Sequence, residues 1–166
     1  MSDKDGKFNK PERGSSPLPD HIMLSFWGDA KTSAAISWRT DENSGDSYIL
    51  YRREGSADLL RQEAVTRFAE TDIDRSNYHW VRLSGLEPGC KYCYTVGDDE
   101  HRSGKFTFET EPEKLDKFSF IVISDHQKGS PCHLPDYSMV GEMLKTALAK
   151  HPECRFIFTA GDNCDN

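Results

Sequence analysis

Long apolar runs are the first thing this 166-residue chain lacks. No stretch approaches the roughly 20 consecutive apolar residues of a membrane-spanning helix, so no membrane partner is expected. The opening residues, Met1-Ser-Asp-Lys-Asp-Gly-Lys-Phe-Asn-Lys10, carry charges where a secretory leader would carry an apolar core. No signal peptide is visible, and the chain as written predicts a cytoplasmic location. An excess of basic charge is missing as well. With 21 Lys and Arg against 28 Asp and Glu, the formal charge is -7, which argues against nucleic acid or another polyanion as partner.

A disulfide framework is also missing. The five cysteines leave at least one unpaired. Cys90 and Cys93 have C-x-x-C spacing, but no second pair completes a zinc site. Their surroundings read as a strand, which would turn the two to opposite faces. Cys132 and Cys154 read as free thiols near loops. The length suits one ordinary domain, or a small domain with part of another.

What is present changes texture along the chain. Residues 1–19 mix Gly, Ser, Pro and charge without periodicity and read as a mobile leader. From residue 20 to 111 the pattern is all-β. Ile22, Leu24 and Phe26 alternate with Met23, Ser25 and Trp27, and Ala34, Ile36 and Trp38 alternate with Ala35, Ser37 and Arg39. Turn chemistry follows each run, at Gly28-Asp29 and at Asp41-Glu-Asn-Ser-Gly-Asp46. Further strands are predicted at Ser47–Arg52, Tyr78–Leu83, Lys91–Val96 and Lys105–Phe108, while residues 57–73 suit either a helix or short edge strands. Six or seven such strands imply a β-sandwich, with a barrel as the alternative. Trp38, Tyr48, Tyr92, Tyr94, Phe106 and Phe108 are expected in its core rather than on a ligand platform, because they keep the alternation. His79 shares a strand face with Val81 and Leu83 and reads as a satisfied core histidine. Residues 112–117 are rich in charge and form a linker.

From residue 118 to 166 the pattern is strand, helix, strand. Phe118-Ser-Phe-Ile-Val-Ile-Ser124 is a near-continuous apolar run, as for a strand buried on both faces of a parallel sheet. Tyr137, Val140, Met143, Leu144, Ala147 and Leu148 share one helical face, and His151-Pro152 stops that helix. Arg155–Ala160 is the second strand. About 45 residues is the size of a right-handed βαβ unit, which makes the strands parallel neighbours. Asp125 and Asp162 then leave the carboxyl ends of their strands at the edge where open α/β sheets bind ligands. Two carboxylates converging there repel each other unless a cation lies between them, and a divalent metal is the usual answer. The alternative is a strand pair whose aspartates are simply solvated. A unit of two strands cannot cover both sheet faces. Phe120, Ile121, Val122, Ile157 and Phe158 are therefore expected to expose apolar surface and to favour self-association.

Ser124-Asp125-His126-Gln127, followed by Gly161-Asp162-Asn163-Cys164-Asp165, resembles the first two motifs of the calcineurin-like metallophosphoesterases, D-x-H and G-D-x-x-D. The resemblance implies a phosphoric ester hydrolase in which a metal pair holds the phosphoryl group and generates hydroxide. By position it makes Asp125 the terminal ligand of one metal and Asp162 the bridge between two. Gln127 stands where that family usually has a histidine, with His126 one position away. Its amide oxygen suits a hard cation better than a softer one. Cys164, inside the same loop, is outside the family pattern.

Leu86-Glu87-Pro88-Gly89 ahead of Tyr92 resembles the tyrosine corner of fibronectin type III domains, which implies a Tyr92 hydroxyl bonded to the backbone a few residues upstream. A fibronectin type III-like sandwich that leads into a truncated α/β metallophosphoesterase domain, here one βαβ unit, resembles the purple acid phosphatases over residues 20–166. The tract Tyr78–Gly89 adds to that resemblance. The family's iron-binding tyrosine, three residues after the bridging aspartate, is replaced by Asp165. A ferric site and a divalent pair of iron, manganese or zinc both stay open. The later family segments, G-N-H and G-H-x-H, do not occur in the sequence, and neither His133 nor His151 has their context. The resemblance thus implies the front part of a phosphatase with no catalytic residue of its own, inactive alone, whose complete form acts on a phosphate ester and is often secreted. The second reading is a stand-alone fibronectin type III-like binding or adhesion module with a vestigial βαβ tail.

Overall fold

The computed structural model describes residues 14–71, 74–126 and 137–163. The chain divides between Lys114 and Leu115 into two compact units. Among the described residues no helix is long and apolar enough to cross a membrane.

The first unit contains β1 (Asp20–Ser25), β2 (Ser33–Asp41), β3 (Tyr48–Arg53), β4 (Leu60–Glu63), β5 (Val65–Glu70), β6 (Arg75–Ser84), β7 (Lys91–Gly97) and β8 (Phe106–Glu109). They form two four-stranded antiparallel sheets, ordered β1-β2-β6-β5 and β4-β3-β7-β8. The period-2 pattern of β2 decides its face: Ala34, Ile36, Trp38 and Thr40 are buried, and the residues between them are not. β6 matches it in register, with Ala34 opposite Leu83, Ile36 opposite Val81 and Trp38 opposite His79. Ile49, Tyr92, Tyr94, Val96 and Phe108 close the core from the other sheet. Each fully buried aliphatic side chain there contributes about 1.5–3 kcal/mol.

Two of these core rings, Trp38 and Tyr92, have their polar ends matched. The Trp38 Nε1–H donates to Ser47 Oγ at 3.0 Å. Tyr92 stacks on Phe108, and its hydroxyl accepts from the Glu87 backbone N–H at 2.9 Å, five residues upstream, as the corner motif implies. Thr110, also buried, extends this corner by accepting from Cys90 N–H and donating to the Glu87 carbonyl. On the opposite edge, Arg39 forms a bidentate pair with Asp20 at 2.6 and 2.8 Å and reaches Asp74 at 3.1 Å. Burial pushes the Asp20 carboxyl up, but its bonds with Arg39 and His21 hold it below the ordinary range. Asp74 also accepts from the Ser15 backbone N–H, and the Ser16 carbonyl accepts from Asp41 N–H, so the sandwich gathers in chain from Ser15 onward.

Several expectations are corrected here. For residues 57–73, where helix and short edge strands were both open, the described residues 57–71 take the edge-strand alternative. Their described part is two strands joined at Ala64, the first in one sheet and the second in the other, and Ala64 N–H donates to the Ser47 carbonyl. Eight strands rather than six or seven result. Phe106 is 40% exposed, because β8 is an edge strand with no neighbour on its outer side. Cys90 precedes β7, so the C-x-x-C pair does not share a strand. Cys154 is a free thiol just after the turn at 152–153.

The second unit contains β9 (Ser119–Ile123), α1 (Ser138–Lys150) and β10 (Cys154–Thr159), with the strands parallel and Ile121, Val122 and Ile123 opposite Ile157, Phe158 and Thr159. Val140, Leu144 and Ala147 are half-buried on one stripe of α1, while Met143 and Leu148 are exposed. β9 is not buried on both faces. Phe118, Phe120 and Phe156 stack on one side of the sheet, and Phe120, Val122 and Phe158 stay 46%, 55% and 54% exposed. Ile121 and Ile123 are better covered.

Tyr92→Phe should lower the stability of the first unit by about 1 kcal/mol in urea denaturation, since the Glu87 N–H loses its acceptor in a buried corner. An unchanged midpoint would mean that this bond contributes nothing.

Candidate functional site

β9 and β10 end at the same sheet edge because they are parallel and in register. The pairing continues past their ends: Ala160 N–H donates to the Ile123 carbonyl at 2.9 Å, and Asp125 N–H to the Gly161 carbonyl at 3.3 Å. The turns after the two strands are thereby fastened together. Asp125 and Asp162 both take left-handed backbone, with φ of 54° and 49°. That conformation costs a residue bearing a Cβ about 1 kcal/mol or more, and aspartate is among the few that tolerate it. Both residues are exposed.

Of the three ligands expected from the sequence, Asp125 and Asp162 therefore come to one edge, and Gln127 lies outside the described residues, as do Cys164 and Asp165. Beside Asp125, the His126 Nδ1 is buried and has no hydrogen-bond partner among the described residues, an unusual state for an enclosed ring nitrogen. That orphaned nitrogen and two carboxylates are suitable donor types for a divalent cation. They do not gather, however: among the described residues no group of three or more His, Cys, Asp or Glu side chains converges as a metal site. A hard cation takes six or more oxygen ligands. The described residues do not fit a metal pair by themselves, and no chemical step is derived through one.

A second concave place lies in the sandwich, a cleft of about 470 Å³ between residues 43–46 and 98–101, with Pro17 at its rim. Its carboxylates serve the turns that build it. Asp98 accepts from the backbone N–H groups of Glu100 at 2.8 Å and His101 at 2.6 Å. Burial pushes the Asp98 carboxyl up, and those bonds bring it below the ordinary range. Asp99 accepts the Tyr48 hydroxyl, which raises the Tyr48 pKa. The Tyr48 ring lies between Arg61 and Arg102, 3.6 and 4.3 Å from the two guanidinium carbons. Sequence reasoning passed over this cleft because hairpin-turn residues such as Gly97-Asp-Asp-Glu100 carry no sign of which turns meet.

The eight described strands define the first unit as a fibronectin type III-like β-sandwich. Residues 19–110 match the family described as the purple acid phosphatase N-terminal domain, more than half of the chain, and the chain belongs to that family. No curated protein matches it. Among solved structures it is similar to a computer-redesigned β-sandwich protein at 16% identity, over 58% of this chain and 97% of that one, with a TM-score of 0.41. A structure described as a myokine is similar at 17% identity, over 58% and 99%, with a TM-score of 0.41. The third fibronectin III domain of the human KIAA0343 protein is similar at 15%, over 68% and 96%, with a TM-score of 0.40.

At each of the two left-handed aspartates, the Gly variant should be more stable than the Ala variant by about 1 kcal/mol, because only glycine takes that φ without steric cost. Urea denaturation of Asp125→Gly against Asp125→Ala, and of the same pair at residue 162, measures this. Equal stabilities would show that the backbone there is not left-handed.

Proposed function

We propose that the chain is the front part of a metal-dependent phosphoric ester hydrolase of the purple acid phosphatase type. In this reading residues 118–166 begin the metallophosphoesterase domain, with Asp125 and Asp162 as terminal and bridging ligands of a pair of iron, manganese or zinc ions. One observation supports it above the others: parallel strands bring two aspartates to one sheet edge, both in a backbone conformation that disfavours side chains. The remaining donors, Gln127 among them, would come from outside the described residues. Membership in the N-terminal domain family supports the same reading from the other unit.

Two carboxylates are too few for tight binding. Calorimetric titration of manganese or zinc into the purified chain should give a Kd weaker than about 1 μM, with no turnover of a phosphate ester. Asp125→Ala and Asp162→Ala should each abolish the binding. Variants that bind as well as the parent would overturn the ligand assignment, and tight binding by the parent would overturn the donor count.

A second reading, a fibronectin type III-like binding or adhesion module, is favoured by the closed core of the first unit. It makes both aspartates dispensable for whatever the protein binds.

The aromatic side of the β9–β10 sheet should also drive self-association, because Phe118, Phe120, Val122 and Phe158 form an exposed apolar face. Sedimentation should show concentration-dependent association that Phe120→Asp suppresses. A monodisperse monomer with slowly exchanging amides at Ile121–Ile123 would contradict it.

A further inference from the structure

β2 pairs with β1 on one side and β6 on the other, and β6 pairs with β5, so the side chains turned away from the core line up in rows across four strands. One row is Met23, Ser37, Trp80 and Val65, without charge. On one side of it lie Arg39, Tyr78 and Arg67, and on the other Ser25, Ala35 and Arg82. Neighbouring rows are two residues apart along each strand, about 6.8 Å. Met23, Val65, Trp27 and Tyr78 are exposed, and Trp80 is half-buried. The Arg82 guanidinium lies over the Trp27 ring, its carbon 3.7 Å from the ring centroid.

The free charge on this face has one sign. Arg39, Arg53, Arg61 and Arg75 pair with carboxylates, whereas among the described residues Arg67 and Arg82 do not. The carboxylates at the rim are engaged: Asp20 and Asp74 hold Arg39, and Asp41 accepts from the backbone N–H groups of Asn43 and Ser44. The chain as a whole is acidic, at -7, so these cations are not a share of a generally positive surface. Trp, Tyr, Met and Arg are the residue types enriched where proteins bind proteins. A second copy of the face is a poor occupant, because it would set arginine against arginine. A carboxylate-bearing partner fits, since guanidinium groups bind carboxylates with charge-assisted bonds.

We propose that this face docks an extended acidic peptide segment of a partner protein, with carboxylates at its first and fifth residues and an apolar side chain at its third. An extended segment repeats its side chains on one side at every second residue, about 6.8 Å, which is the spacing of the rows. Lying along β6, it sets its apolar residue on the row of Met23, Trp80 and Val65 and its two carboxylates against Arg67 and Arg82. The proposal goes beyond both readings above: it concerns the first unit alone, and Asp125 and Asp162 play no part in it.

Titration of the whole chain into the end-blocked, dye-labelled peptide Ser-Glu-Ser-Leu-Ser-Glu-Ser, followed by fluorescence anisotropy, tests this. The peptide should bind at least about 5-fold more tightly than its isomer Ser-Glu-Glu-Leu-Ser-Ser-Ser, and than the version with lysine in place of glutamate. Arg67→Glu and Arg82→Glu, both at exposed positions, should each weaken binding roughly 10-fold, and the double variant should prefer the lysine peptide. Arg52→Glu, exposed on the other sheet, should change binding by less than about 2-fold. Equal binding of the two isomers, unchanged binding in Arg67→Glu or Arg82→Glu, or a comparable loss in Arg52→Glu would overturn the proposal. So would failure to bind the glutamate peptide, whether or not phosphatidylserine vesicles bind in its place.

Discussion

The sandwich depends on the satisfaction of polar ring atoms inside a dry interior. Trp38 and His79 face each other across β2 and β6, and together they present three ring nitrogens to the core. A buried donor or acceptor left without a partner costs about 1–3 kcal/mol, as much as a whole aliphatic side chain contributes. Each ring nitrogen is met by a hydroxyl from a different place: Ser47 just ahead of β3, Thr40 on β2 and Thr66 on β5. Only one order and one register of strands brings those hydroxyls to those atoms. The hydrophobic residues would accept small shifts of packing, but this set of bonds would not. It therefore selects the arrangement that the apolar pattern only permits.

The opposite end of the core is fixed by the same rule. Tyr92, Thr110, Cys90 and Glu87 exchange bonds around the start of β7, and Thr110 both accepts and donates there. Thr110 follows β8 directly, so the end of the sandwich is joined into its own corner rather than fraying into the charged stretch that follows.

Alternation made β2, β6 and β7 legible in the sequence; β2 has one wet and one dry face, so that a slip of one residue would invert it, whereas β7 also buries Cys93 on its other face. Residues 57–70 were not legible, because β4 and β5 belong to different sheets. Leu60, Val65 and Phe68 remain exposed, so no single period runs through the segment. Phe106 misled for a related reason: alternation reports which side of a strand a residue takes, but not whether the strand has a neighbour to cover it. At the edge of the second unit, the alternation of strand and helix was enough to bring Asp125 and Asp162 to the same end of a parallel pair. Their left-handed backbone was invisible, because strain lies in φ and not in composition. His126 is the opposite case. It was visible as a residue, but its enclosed nitrogen appears only once the turn is built.

The two units thus stand in contrast. In the first, the buried nitrogens of Trp38 and His79 and the Tyr92 hydroxyl find partners, and the local choices agree with the fold. In the second, the local choices conflict with it: aromatic side chains face solvent, an imidazole nitrogen is enclosed with no hydrogen-bond partner among the described residues, and two side-chain-bearing residues hold a conformation better suited to glycine. Strain of this kind persists where the surroundings force it, and here the surroundings are the parallel register and the Asp125–Gly161 bond that fastens the two turns. Glycine at either position would relieve the backbone but remove the carboxylate. Aspartate keeps a negative charge at that edge at the cost of strain. Strain and two carboxylates thus meet at one sheet edge, the edge to which the parallel register carries both turns.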